Sequence, residues 1–240
     1  MKSISIVMAT YNGAKYIEQQ LDSILPFMKE VDELIISDDG SSDETVKIIK
    51  DYQKKYNNIL LVKGPRQGVV RNFESLLERA SRNIIMFADQ DDIWMPDKLS
   101  KIRTAFESDP NLNLVLHDML ITSNEQIDNN EKGTSSFAIR QRKHGVLYNL
   151  VYNGYYGCCM SFTRAFRDEI VPFSRKTNMY DQWIGLIAEH DKKSLFIDTP
   201  LIMHRVHGRN MSQKQSIWGS LTSKFKLYLA YRDFLIKRNS

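Results

Sequence analysis

The chain has 240 residues, a formal net charge of +4 and 42% hydrophobic content, enough to bury a substantial core in one α/β domain with additions. It carries no low-complexity tract, no internal repeat and no apolar run near the roughly 20 residues of a membrane span. Its start is too short and too strand-like for a leader's apolar segment, so a cytoplasmic location is the default expectation.

The charge is unevenly spread. From Lys214 to Ser240 there are six lysines and arginines against one acid, Asp233, so the body is near neutral. A basic tail of this kind expects an anionic surface or partner, and nucleic-acid binding by the main domain is not expected. The only two cysteines, Cys158 and Cys159, are adjacent. Neighbouring side chains rarely suit disulfide geometry, and small buried residues on one strand are expected instead. No His/Cys spacing resembles a zinc site.

The first half alternates regularly. Ser3–Ala9 reads as a strand, and Gly13–Phe27 as a helix with Ile17, Leu21, Ile24 and Leu25 at helical spacing. Leu34–Ser37 is the next strand, followed by a helix carrying Val46, Ile48, Ile49 and Tyr52. Ile59–Lys63 is a third strand, Val70–Ala80 a helix, Asn83–Ala88 a fourth strand and Lys98–Ser108 a helix. Repeats of this length predict right-handed crossovers and a mostly parallel, doubly wound sheet. After a strand over Leu112–Ile121 the pattern loosens, and the polar stretch Thr122–Lys143 reads as a loop or lid. Gly157–Thr163 reads as a buried strand, Asp181–Glu189 as a helix and Ser194–His204 as a strand or hairpin. From Ile217 to Ile236 a helix is expected, with Ile217, Leu221, Phe225, Tyr228, Tyr231 and Leu235 on one broad face. That make-up suits a helix lying at a membrane surface, and equally one packed on the domain or on another subunit.

Two segments carry chemistry. Phe87-Ala88-Asp89-Gln90-Asp91-Asp92-Ile93-Trp94 places three carboxylates directly after the fourth strand, at the edge where open α/β sheets bind ligands. Carboxylates this close repel unless a cation or a set of donors neutralises them. Mn²⁺ or Mg²⁺ suits such oxygen ligands, and Mg²⁺ is usually shared with substrate phosphates. A polar loop with an acidic N-cap would explain one such cluster. Asp38-Asp39-Gly40-Ser41-Ser42-Asp43 repeats the design after the second strand, which two unrelated caps explain poorly. The first half is therefore expected to hold a nucleotide, and the irregular second half another substrate.

With Ala9-Thr10-Tyr11-Asn12-Gly13 after the first strand, these motifs in this order resemble family 2 glycosyltransferases of the GT-A fold, over about residues 3–210. The resemblance implies an inverting, metal-dependent transfer of a sugar from a nucleotide diphosphate donor to an acceptor hydroxyl, a reaction of the hexosyltransferase class. Thr10, Tyr11 and Asn12 match positions around the nucleotide, with Thr10 and Tyr11 bordering the base, and Asp39 matches the one that bonds the pyrimidine imide edge. Ala9 stands where the family often has Pro. Arg71 matches an Arg near the nucleotide, suited to phosphate or ribose oxygens. Asp91 is implied as the direct metal ligand, Asp89 as a partner of ribose hydroxyls or of metal-bound water. Asp92 is left between orienting the loop and reaching the donor sugar. Asp181, in Tyr180-Asp181-Gln182-Trp183, matches the acidic residue expected to be the catalytic base, with Glu189 and Asp168 next in order. A helix N-terminus would lower its pKa and weaken it as a proton acceptor. In Arg205-Val206-His207-Gly208-Arg209-Asn210, Arg205 is expected to grip phosphate and His207 to bind metal or diphosphate. His204 has weaker support, and His117, His144 and His190 have no supporting context.

The expected division is a transferase domain over 1–210, with a nucleotide half (1–110) and an acceptor half (111–210), and a basic segment over 211–240. Its motifs resemble most those of bacterial rhamnosyltransferases of polysaccharide assembly, so the resemblance implies dTDP-rhamnose or a UDP-hexose as the expected donor. The acceptor is a glycan or lipid-linked glycan; peripheral membrane contact and a homo-oligomer stay open. A sugar-phosphate nucleotidyltransferase is the rival enzyme, although its Gly-rich basic loop is not seen after the first strand. A non-catalytic nucleotide-sugar-binding scaffold is the rival from another class.

Overall fold

The structure is a computed structural model that describes residues 1–123, 127, 133–139, 145–176, 179–207 and 217–238. Four parallel strands form its first half: β1 (Ile4–Thr10), β2 (Glu33–Asp38), β3 (Ile59–Lys63) and β4 (Ile84–Asp89), in the spatial order β3-β2-β1-β4. Helices α1 (Ile17–Ile24), α2 (Thr45–Gln53) and α3 (Val69–Arg79) make the crossovers. β4 reads as an unbroken apolar run up to Asp89, and β1 as one interrupted by Ser5, because both of their faces are covered: Ile4, Ile6, Val7 and Met8, and Ile84 through Ala88, are buried.

A two-residue strand, β5 (Ile93–Trp94), and α4 (Lys98–Ser108) follow. The second half adds β6 (Leu114–Thr122), β7 (Thr134–Ser135), α5 (Ser136–Ile139), α6 (Val146–Val151), β8 (Met160–Thr163), α7 (Arg164–Ile170), α8 (Tyr180–Asp191), β9 (Ser194–Arg205) and α9 (Ile217–Arg238). β8 runs antiparallel to both β4 and β6, whereas β9 pairs parallel with β6 and antiparallel with β5. The expected α/β architecture is present, parallel in its first half and mixed in its second.

Several local expectations are corrected. Cys158 and Cys159 occupy a 3₁₀ turn before β8, not the strand itself, and both are free and buried. β5, α6 and α7 are too short to show a period in the sequence. Within the stretch expected as a loop over 122–143, Asp118 ties down β7 and α5 by accepting from the Ser136 hydroxyl at 2.7 Å and the Phe137 amide at 3.0 Å. Residues 124–126, 128–132 and 140–144 of the chain, His144 among them, lie outside the described residues. The tail helix does not present one broad face: Tyr231 is buried, but Phe225 and Tyr228 point outward.

At the N-terminal edge of the sheet the carboxylate chemistry is structural. Asp32, fully buried, accepts from the Ile4 amide at 2.9 Å and pairs with buried Arg103 at 2.8 Å. Removing one partner of a buried pair strands the other charge. Arg103→Met is therefore expected to cost about 3–5 kcal/mol in urea unfolding. Nucleotide affinity, measured by calorimetry at the opposite edge, should stay unchanged.

Candidate active site

The register sets the site. Thr10 pairs with Asp38 and Ala9 with Asp89, so β1, β2 and β4 end together where β1 separates the two directions of winding. The loops beyond them are laced to one another. The Asn12 amide donates to Ser41 Oγ at 2.8 Å and Asn12 Oδ1 accepts from the Ser42 amide at 2.9 Å. Asn12 takes φ 47°, a left-handed conformation that Asn tolerates. Gln90 bridges from the acidic loop, accepting from the Tyr11 amide at 3.0 Å and donating to its carbonyl at 3.1 Å. A Cβ at Gly13 would fall 2.2 Å from Gln90 Oε1, so only glycine allows this bridge.

Thr10 is buried with its hydroxyl on Asp38 Oδ1 at 3.2 Å, so Thr10 and Asn12 shape the edge from within. Tyr11 stands 58% exposed on it. Asp39 lies at the same edge and accepts from the Arg66 amide at 2.6 Å. Arg71 pairs with Glu74 and donates to the Phe173 carbonyl at 3.4 Å, clasping the segment that leads into α8.

The β5–β9 pairing brings the end of β9 against the acidic loop. His207 Nε2 lies 2.8 Å from Asp91 Oδ2, uniting the two residues expected to hold a metal. Arg205, 1% exposed, donates through Nε to the Asp91 carbonyl at 3.1 Å and through Nη2 to Gln19 at 2.9 Å. Its guanidinium and the His207 ring share the Tyr16 ring, at 4.7 and 4.9 Å. Arg205, expected to grip phosphate, thus bonds the backbone of the acidic loop. Asp92 is fully buried, with Oδ1 2.7 Å from His204 Nδ1. Of its two expected roles, orienting the loop is the one this arrangement fits.

Around this pair lies a partly buried polar group whose gathering with Cys158 and Lys98 sequence reasoning missed. Asp89, Asp92, Cys158 and His204 present ligand-type atoms within 4.8 Å of one another. Lys98 sits beside them, fully buried, its ammonium on the Cys158 carbonyl at 3.0 Å and over the Trp94 ring at 3.7 Å. Only the spacing Trp94-x-Pro96-x-Lys98 signals it, and that reads first as an ordinary helix start. Burial pushes Asp89 up to about 8, with the charges of Asp92 and Asp91 adding to it. Burial and Asp92 also raise Asp91, while the His207 hydrogen bond pulls it back. Burial lowers Lys98 to about 8. It works against the His204 imidazolium too, but the Asp92 carboxylate outweighs it and holds His204 up at about 12. The hydrogen bond with Cys159 and burial keep the Cys158 thiol well above its ordinary value. With Asp92 and His204 already paired and Cys158 a thiol, the inner group balances its own charge. Asp91 and His207 lie outside this group, a carboxylate and an imidazole 2.8 Å apart.

Asp181 opens α8, half-buried. Its Oδ1 accepts from the Gln182 amide at 2.7 Å and Oδ2 from Asn153 at 3.4 Å. Burial raises its pKa to about 6 although those hydrogen bonds pull down, so desolvation overrides the lowering expected from a helix N-terminus. Tyr180 fixes its place, packed on Phe73 at 4.8 Å and Phe87 at 5.1 Å. A Cβ at Gly157 would lie 2.3 Å from the Tyr180 hydroxyl, so glycine there lets α8 approach the Cys158 turn. The next candidates for a base are placed elsewhere: Glu189 accepts from the Tyr155 hydroxyl at 2.6 Å, and Asp168 pairs with Arg167 at 2.6 Å.

Known proteins share both sequence and shape with this chain. The dTDP-rhamnosyl transferase RfbG of Shigella flexneri is 42% identical over 99 residues, 38% of this chain and 34% of that protein. The putative teichuronic acid biosynthesis glycosyltransferase TuaG of Bacillus subtilis is 36% identical over 101 residues, 41% of this chain and 39% of that protein. The aligned parts thus span little more than a third of these relatives' lengths. Among solved structures, S. aureus TarS 1-349 in complex with UDP-GlcNAc superposes with a TM-score of 0.72 at 19% identity, covering 98% of this chain and 66% of that one. The mannosyltransferase PcManGT from Pyrobaculum calidifontis, in complex with GDP-Man and Mn²⁺, gives 0.64 at 17% identity, covering 97% and 71%. At such identities the superpositions establish the GT-A fold alone. The sequence profile of glycosyl transferase family 2 matches residues 5–171, from the first residues of β1 to just past α7, so the chain belongs to that family.

Proposed function

We propose that the protein is an inverting glycosyltransferase that moves a sugar from a nucleotide diphosphate donor to an acceptor hydroxyl. The observation that carries this reading is the meeting of Asp91 and His207 at 2.8 Å on the nucleotide edge of the sheet. Tyr11 offers its exposed ring to the base and Asp39 its carboxylate to a pyrimidine N–H. Arg71 offers its remaining guanidinium donors to phosphate or ribose oxygens, and Asp89 its carboxylate to the ribose hydroxyls. A Mn²⁺ or Mg²⁺ ion held by Asp91 and His207 would supply charge neutralisation to the departing diphosphate. Asp181 takes the proton of the acceptor hydroxyl as the new C–O bond forms opposite the leaving group, and a pKa of about 6 leaves it ionised yet basic at neutral pH. Arg205 and the Asp92–His204 pair hold the acidic loop in place for this step.

The RfbG similarity favours dTDP-rhamnose, with a UDP-hexose next, and a glycan or lipid-linked glycan as acceptor in bacterial surface polysaccharide synthesis. The transferase then occupies 1–210, with 211–240 as an added segment. No helix among the described residues is long and apolar enough to cross a membrane.

A donor-hydrolysis screen over UDP-, GDP- and dTDP-sugars with Mn²⁺ tests the reading. Release of nucleoside diphosphate from a UDP- or dTDP-sugar is the expected result. Pyrophosphate release from a sugar phosphate and a nucleoside triphosphate would make the protein a nucleotidyltransferase instead. Binding without turnover of any donor, in the presence of acceptor glycans, would make it a scaffold.

A further inference from the structure

Helix α9 is apolar on two opposite sides, and the domain uses only one. Leu227, Ala230 and Tyr231 are buried, Phe234 packs on Trp183 at 5.6 Å, and the Tyr231 hydroxyl meets His190 Nδ1 at 2.7 Å. That set, spaced i, i+3, i+4, i+7, is the inner stripe. At roughly 100° per residue, Phe225, Leu229, Arg232 and Ile236 fall on the far side, with Tyr228 beside them. Phe225 and Ile236 are each 62% exposed. The adjacent helix α6 adds Leu147, 80% exposed, with Val151 and Tyr152 also outward. Single exposed apolar residues are ordinary, but a stripe along one helix, accompanied by a second set on its neighbour, marks an interaction surface.

The charges around the stripe select what covers it. Helix α9 has five basic residues, Lys224, Lys226, Arg232, Lys237 and Arg238, and one acid, Asp233. Asp233 is held by Lys176 at 2.5 Å and Arg232 at 3.0 Å, and Arg238 turns inward to Asp191 at 2.7 Å. By helical geometry Lys224 and Lys226 lie on opposite flanks of the stripe. A second copy docking about a two-fold axis would set this basic stripe against itself, which like-charge repulsion opposes. Anionic headgroups neutralise it while the aromatic and aliphatic side chains enter the interfacial layer.

We infer that α9, with the exposed face of α6, docks the protein on an anionic lipid surface, the helix lying in the plane of the interface. The inference stands apart from the transfer reading, since it uses no residue of the nucleotide site. It gives that reading a direction, because α9 touches Trp183, two residues beyond Asp181, and so sets the bilayer on the acceptor half.

The test is sedimentation of the 240-residue protein with vesicles of phosphatidylglycerol and phosphatidylcholine, against phosphatidylcholine alone. Binding only to the anionic vesicles, weakened by salt, is expected. Phe225→Glu/Ile236→Glu should abolish it. Lys224→Gln/Lys226→Gln should weaken it about 25-fold, from about 1 kcal/mol for each lysine at the surface. Both variants should keep the wild-type Tm and bind UDP or dTDP as before. No sedimentation, equal sedimentation on neutral vesicles, or unchanged binding by both variants would overturn the inference. Conversion of a dimer to a monomer by Phe225→Glu/Ile236→Glu would also overturn it and assign the face to a second copy.

Discussion

Asp181→Asn is expected to bind the donor nucleotide as the wild type does and to transfer sugar about 10²–10⁴-fold more slowly, the usual worth of a positioned general base. The wild-type rate should rise with pH through an apparent pKa of about 6 and then level, because the base acts only when ionised. The variant's residual rate should lack that limb. Stability gives a second readout with a definite sign. The folded-state pKa lies above the ordinary carboxylate value of 3.8, so the folded protein is most favoured below the unfolded pKa and loses stability as pH rises through 6. Asn carries no such penalty, so the variant's Tm should exceed the wild type's at pH 8 and match it at pH 4. The difference is at most about 3 kcal/mol, less what solvent returns at a half-open carboxylate. An unchanged transfer rate in the variant would move the base elsewhere.

Nucleotide binding should depend equally sharply on Asp91 and on a divalent cation. Without the cation, the diphosphate would meet a cluster in which burial and Asp92 already suppress the ionisation of Asp89 and Asp91. In calorimetry with UDP and dTDP, either chelation or Asp91→Asn should weaken binding by more than 10–100-fold, the range for losing merely an outer partner of a metal ligand. His207→Ala should fall in the same direction. Burial and Asp92 raise Asp91, which must shed its proton to hold a cation, so Mn²⁺ affinity should rise with pH and proton release should accompany binding. Equal nucleotide affinity with and without cation would remove the metal from the site.

The parallel first half of the fold and the identity of its ligand edge were open to sequence reading, because their causes are local. Apolar runs, helical spacing and βα loops each draw on a few consecutive residues, and parallel strands place their C-terminal ends together without further information. The ordered motifs at Thr10–Gly13, Asp38–Asp43 and Asp89–Trp94 therefore marked the edge before any coordinate did.

What only the tertiary structure decided rests on contacts between distant segments and on burial. The two-residue strand β5, invisible as a period, carries β9 into the acidic loop, and that pairing together with the β6–β9 register makes His204, Arg205 and His207 neighbours of Asp91 and Asp92. Burial made Lys98 part of a charged interior and raised Asp181, where the local helix argument gave the opposite sign. It also divided the faces of α9, since apolar residues all round a helix leave the choice of inner side to the surface it meets, here α6 and α8. Sequence alone determined which residue types stand at the ends of the strands; desolvation and long-range pairing, which no local window contains, decided their charge states and their partners.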